Sequence, residues 1–224
     1  MFQGFSEETI QFLWGIRFNN ERPWFMEHKQ DYLDHVYEPL KELAAQVQER
    51  MNALYPDAQF NIKVSRIYRD ARRLYGKGPY KTHLWFVLRS PAEQESVLPA
   101  FYFELSPEGY SYGMGYYCPK PQLMEVYRRK VLREPEKLEK LARRLNRRKD
   151  IHLGGEEYKR SKGEVSEVLK PWFNRKWIEL TCDHAYDDRY DKPELVDDII
   201  EAFRFLMPYY EFFMELGLEP LLED

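Results

Sequence analysis

Apolar residues recur at helical spacing in the first quarter of the chain and again from residue 121, and between these stretches the period falls to two. Ile10, Leu13 and Trp14 follow Ser6-Glu7-Glu8, a helix start with acids against the N-terminal dipole, and this first stripe ends near Asn19-Asn20. Asn20 is placed to cap a second helix with Pro23 in its first turn. That helix is expected to be long: Trp24, His28, Tyr32, Val36, Leu40, Leu43, Val47, Met51 and Leu54 recur at steps of three or four, and Pro39 should kink or divide it near His35. Trp24, Tyr32, Val36, Leu40 and Val47 are expected inside, with Lys29, Lys41, Glu42 and Glu49 outside.

Phe60, Ile62 and Val64 alternate with Asn61, Lys63 and Ser65, which predicts a strand running to about Asp70. Residues 71–82 contain Gly76, Gly78 and Pro79 and read as a loop. Further strands are expected over 83–89, 100–105 and 110–117, the last two joined by the hairpin turn Ser106-Pro107-Glu108-Gly109, with a fifth over 177–182. Helical stripes return at Pro121, after Pro135, and from Pro193 through Phe213, while residues 151–166 read as loop. The expected fold is one α+β domain over 1–224: an antiparallel sheet of four or five strands packed against long N- and C-terminal helices.

Composition narrows the class. The 224 residues are 43% apolar and 16% aromatic, which excludes a disordered chain despite 32% charged residues. Two cysteines exclude a disulfide framework, and Cys118 has no neighbouring histidine to activate it. No zinc spacing is present, and Asp183-His184 with Asp187, Asp188 and Asp191 fails the calcium-loop spacing, so neither metal nor cofactor is expected. No basic run precedes an apolar stretch at the N-terminus, and the window 202–218 is broken by Arg204, Pro208, Glu211 and Glu215. A cytoplasmic protein without a membrane segment is the expectation. The sequence sets no oligomeric state.

The net charge of −4 conceals a polarity. Residues 63–83 carry seven cations against Asp70 alone, residues 128–149 carry eleven against three acids, and residues 183–224 carry thirteen acids against three cations. Such asymmetry fits either an anion-binding face or an acidic segment folded on a basic one.

Two segments are more specific than core patterning requires. Asn19-Asn20-Glu21-Arg22-Pro23-Trp24-Phe25-Met26-Glu27-His28-Lys29, followed by Tyr32, is one; Arg66-Ile67-Tyr68-Arg69-Asp70-Ala71-Arg72, then Lys77-Gly78-Pro79-Tyr80-Lys81-Thr82-His83, is the other. Together they resemble the domain of unknown function 2461 family, with its NNxRxWFxxHKxxY helix start and RxYRDxRF…KxPYKTH segment. Arg73 stands where that family has an aromatic, and Ser161 where it has proline. The resemblance implies a family and carries no reaction with it.

The candidate site comes from the residues themselves. Arginine forks bind carboxylate or phosphate bidentately, and lysines add point charges. Arg66, Arg69, Arg72, Lys77 and Lys81, with Asp70 and Tyr80 between them, are therefore the ligand-binding candidates, joined by Asn20 and Arg22 from the first segment. His83 and His28 are the catalytic candidates, because imidazole titrates near neutrality. The partner expected is a small anion-bearing molecule, and the pocket becomes enzymatic where one histidine acts as general acid or base. The competing reading makes the arginines an internal ion network with Asp70, Glu156 or Glu157. Two other classes stand beside these. A nucleic-acid module would use the basic middle with Trp85, Tyr102 and Tyr112, but the acidic balance disfavours it. A partner-binding scaffold is compatible with the many aromatics.

Overall fold

A computed structural model describes residues 1–70, 72, 76, 78–91, 98–116 and 119–217. The chain is α+β, and its strands form one six-stranded antiparallel sheet in the order β1-β2-β3-β4-β6-β5. These strands are β1 (Asn61–Val64), β2 (Leu84–Arg89), β3 (Ala100–Ser106), β4 (Gly109–Gly115), β5 (His152–Gly154) and β6 (Glu179–Ala185). The sheet exceeds the expected four or five strands because β5 occupies three residues of the glycine-bearing stretch read as loop. It pairs with β6 in the register Leu153 opposite Leu180. β1 is shorter than expected, stopping at Val64 rather than near Asp70.

The described residues fall into two compact units. The first comprises 1–88, 102–112 and 183–201, and the second 89–101, 113–182 and 202–224.

In the first unit, α1 (Glu7–Phe18) begins where expected: the Ser6 N–H donates to Thr9 Oγ1, 3.1 Å away. The second helix is not continuous. It divides into α2 (Arg22–Glu27), α3 (Lys29–Tyr32), a π-turn (Leu33–Tyr37) and α4 (Glu38–Leu54). The break near His35 has a local cause. Pro39 lacks the N–H that would bond the carbonyl four residues back, and that carbonyl, His35 O, instead accepts the buried Thr9 hydroxyl at 2.5 Å. Tyr32, Val36, Leu40 and Val47 are buried as expected, whereas Trp24 is only half-buried, lying over Gly15 of α1. α4 also fixes the start of β1: Asn52 and Gln48 donate to Phe60 O, and Phe60 N–H donates to Asn52 Oδ1 at 2.7 Å. Phe86 and Phe103 stack on the inner face of β2 and β3, with Phe5 stacked on Phe103.

The second unit holds α5 (Pro121–Arg133), α6 (Pro135–Leu145), α7 (Lys170–Phe173) and most of α8 (Leu195–Gly217). Phe203 and Tyr210 of α8 stack on Phe101, and Tyr209 donates to Leu141 O at 2.9 Å. Arg128 is buried and fully used, donating to Glu125 and to the carbonyls of Phe173 and Arg175. Among the described residues, no helix is long and apolar enough to cross a membrane.

Candidate functional site

After β1 the chain leaves the sheet and returns to it before β2. Ser65 marks the departure: its N–H donates to Trp85 O at 2.7 Å, and its Oγ accepts the Trp85 N–H at 3.0 Å. The excursion is closed by an isolated antiparallel bridge between Tyr68 and Tyr80, made by Arg69 N–H to Pro79 O at 2.8 Å and Lys81 N–H to Ile67 O at 2.7 Å.

Asn20 clamps that bridge from the other segment. Its Oδ1 accepts the Tyr80 N–H at 2.9 Å and its Nδ2 donates to Tyr80 O at 3.0 Å, so the side-chain amide pairs like a third strand. Asn20 is therefore not the cap of α2, where Glu21 holds the capping position. Gly78 makes room for it: a Cβ there would lie 2.1 Å from Asn20 Oδ1. The Tyr80 ring is buried and stacks on buried Phe25 of α2 at 4.3 Å. The two sequence segments thus meet at one tyrosine.

The cations separate into two kinds. Arg72 and Asp70 pair with each other on the surface: Arg72 Nε and its backbone N–H both donate to Asp70 Oδ1 at 3.0 Å, and the second oxygen accepts at 2.7 Å. This part of the cluster is the ion network that was weighed against a site. Arg69 and Lys81 instead reach backbone carbonyls. Arg69 Nε donates to Tyr80 O at 2.7 Å, and Lys81 Nζ donates to Arg66 O at 2.5 Å while standing 5.5 Å above the Trp85 ring. Arg66 and Lys63 are exposed, with no side-chain partner among the described residues. Burial and then the neighbouring charges of Arg66, Arg69 and Lys63 hold the Lys81 ammonium below its ordinary range. Burial and the Tyr68 hydroxyl push the Tyr80 phenol up, against the Arg22 guanidinium, whose positive charge acts on it. Lys77 lies outside the described residues.

The two histidines differ. His28 stacks on Trp24 at 4.1 Å and its Nδ1 donates to Trp24 O at 2.9 Å, one helical turn back, which is a packing role. His83 is exposed at the start of β2, with Nδ1 4.0 Å from Glu104 Oε1.

Sequence reasoning missed Glu104, counted Lys63 only in the basic stretch 63–83, and named Trp85 only as a base-stacking residue. All three lie on stretches expected to be strand, but side chains that share a strand face become neighbours of another strand only once the pairing is known. Glu104 also borders a cavity of about 290 Å³ with Ser106, Glu108, Ser111 and Asp183, and Arg17 of α1 pairs with Glu108 through its two terminal guanidinium nitrogens. His184 stacks on Tyr110 at 4.9 Å and sets its Nδ1 3.5 Å from Asp187, so this acidic stretch is tied to the sheet. Among the described residues no group of three or more His, Cys, Asp or Glu is placed to hold a metal. Tyr112, a candidate for base stacking, is buried against His184 and offers no free face.

Compared with known families, the chain matches the model described as "Conserved hypothetical protein (DUF2461)" over residues 8–212. No curated protein matches it.

Proposed function

The chain belongs to the DUF2461 family, and on that footing we propose that it binds a small phosphate- or carboxylate-bearing ligand at the Tyr68–Tyr80 bridge. The observation that carries this reading is the company of Lys81: its ammonium donates to the Arg66 carbonyl, Arg69 donates to the Tyr80 carbonyl beside it, and the charges of Arg66, Arg69 and Lys63 act on it. Cations gathered in this way repel one another and lose hydration, a cost that folding alone does not recover. An anion among them offsets both penalties, and a guanidinium fork fixes its orientation. Arg22, acting on the Tyr80 hydroxyl, stands at the edge of the same ground.

Inorganic phosphate is the simplest probe. It should raise the melting temperature of the wild type, and Arg66→Ala should abolish the rise without unfolding the protein, since the Arg66 side chain is exposed and has no side-chain partner among the described residues. Arg72→Ala, which removes a guanidinium already paired to Asp70, should keep the rise. Equal stabilisation of wild type and Arg66→Ala would move the anion elsewhere.

Acid–base chemistry at this site would fall to His83, beside Glu104. An NMR titration of His83 with and without phosphate tests that assignment. A bound anion in contact raises the imidazole pKa, and an unchanged titration separates His83 from the site.

A further inference from the structure

We infer that the anion is carried on a flat aromatic or heteroaromatic ring, and that the ring stacks on Tyr68; this rests on the anion-binding reading above. Tyr68 is 54% exposed, while Ile67 before it is buried and Arg66 before that is exposed. Arg66 and Tyr68 are thus the two exposed residues flanking buried Ile67, at the Tyr68–Tyr80 bridge.

An exposed tyrosine alone means little. This one is held in place. Its backbone is bridged to Tyr80, and its ring meets Phe25 edge-on at 5.8 Å and Tyr80 at 5.5 Å, both of them buried. Its inner side is thus used in packing and the rest of the ring is presented to solvent without freedom to collapse. A ring fixed before binding loses little entropy when a ligand stacks on it. A cation beside such a ring supplies what a phosphate on the same ligand needs, and every base offers a π-face whatever its hydrogen-bonding pattern. Trp85 does not compete for this role, because Lys81 stands over its ring.

Isothermal titration calorimetry with four probes tests the inference: adenosine 5′-monophosphate, phenyl phosphate, ribose 5-phosphate and inorganic phosphate. The two ring-bearing phosphates should bind about tenfold more tightly than ribose 5-phosphate. Tyr68→Ala should bring that ratio close to one while leaving ribose 5-phosphate affinity unchanged, and Tyr68→Phe should keep the ratio. Arg66→Ala should weaken all four together. A wild-type ratio near one, or a ratio that survives Tyr68→Ala, overturns the stacking inference and leaves the anion site standing. Absence of binding by every probe overturns both.

Discussion

Asn20→Ala is the sharpest probe of how the two sequence segments are joined. In the wild type the Tyr80 N–H has one acceptor, Asn20 Oδ1, and Tyr80 O has two donors, Asn20 Nδ2 and Arg69 Nε. The substitution removes two neutral hydrogen bonds of about 0.5–1.5 kcal/mol each and leaves a partly buried N–H without its acceptor, while the carbonyl keeps Arg69. The expected local cost is about 2–3 kcal/mol. Because a protein of two compact units can open in parts, the readout should be local: native-state hydrogen exchange at the Tyr80 amide should accelerate roughly 30-fold or more. Asn20→Asp should be worse near neutrality, since one carboxylate oxygen then faces Tyr80 O. Its carboxyl pKa is raised in the folded state, so its stability deficit should shrink as pH falls through that pKa. Gly78→Ala supplies the cross-check. The added Cβ meets Asn20 Oδ1 at 2.1 Å, so the substitution should damage the wild type and cost far less in the Asn20→Ala background. Unchanged exchange at Tyr80 in Asn20→Ala, or additive Asn20 and Gly78 effects, would refute the clamp.

Leu40→Ala removes a fully buried side chain from α4 and should cost roughly 2–5 kcal/mol in urea denaturation; a loss under about 0.5 kcal/mol would mean the face is misread. Arg128→Met strands the carbonyls of Phe173 and Arg175 and should cost on the order of 3 kcal/mol, read as faster exchange in α5 and α7. Phosphate stabilisation should fall as pH rises through the lowered Lys81 pKa, which lies below 10.5, and Lys81→Met should remove that dependence. Without phosphate the sign reverses: in that window the unfolded chain holds more protons than the folded one, so the Lys81 contribution to stability improves with pH.

Periodicity was a sound guide wherever a segment buries one face against its neighbours. The strands expected over 83–89 and 100–105 match β2 and β3 to within a residue, and the stripe on α4 gave Leu40 and Val47. It failed where a contact distant in sequence decides. Pro39 announced a break, but its form, a π-turn whose carbonyl is taken by Thr9, depends on a hydroxyl 26 residues away. β5 is too short to show an alternation and exists because β6 offers it a partner.

The candidate site was legible as a set of residue types and illegible as a division of labour. Polar side chains on an irregular segment look surplus to packing, yet an irregular backbone has N–H and C=O groups that no ladder satisfies, and some of those side chains exist to serve them. Asn20 and Arg69 both serve Tyr80, and Lys81 serves Arg66. The kind of partner then decides what charge remains. Asp70 pairs with Arg72 and offsets its charge, whereas a carbonyl takes a hydrogen bond from Arg69 or Lys81 and cancels no charge. Lysine and arginine that stitch a loop through carbonyls keep their full positive charge in fixed positions. A segment built this way holds its backbone together and presents an ordered cationic surface with the same side chains.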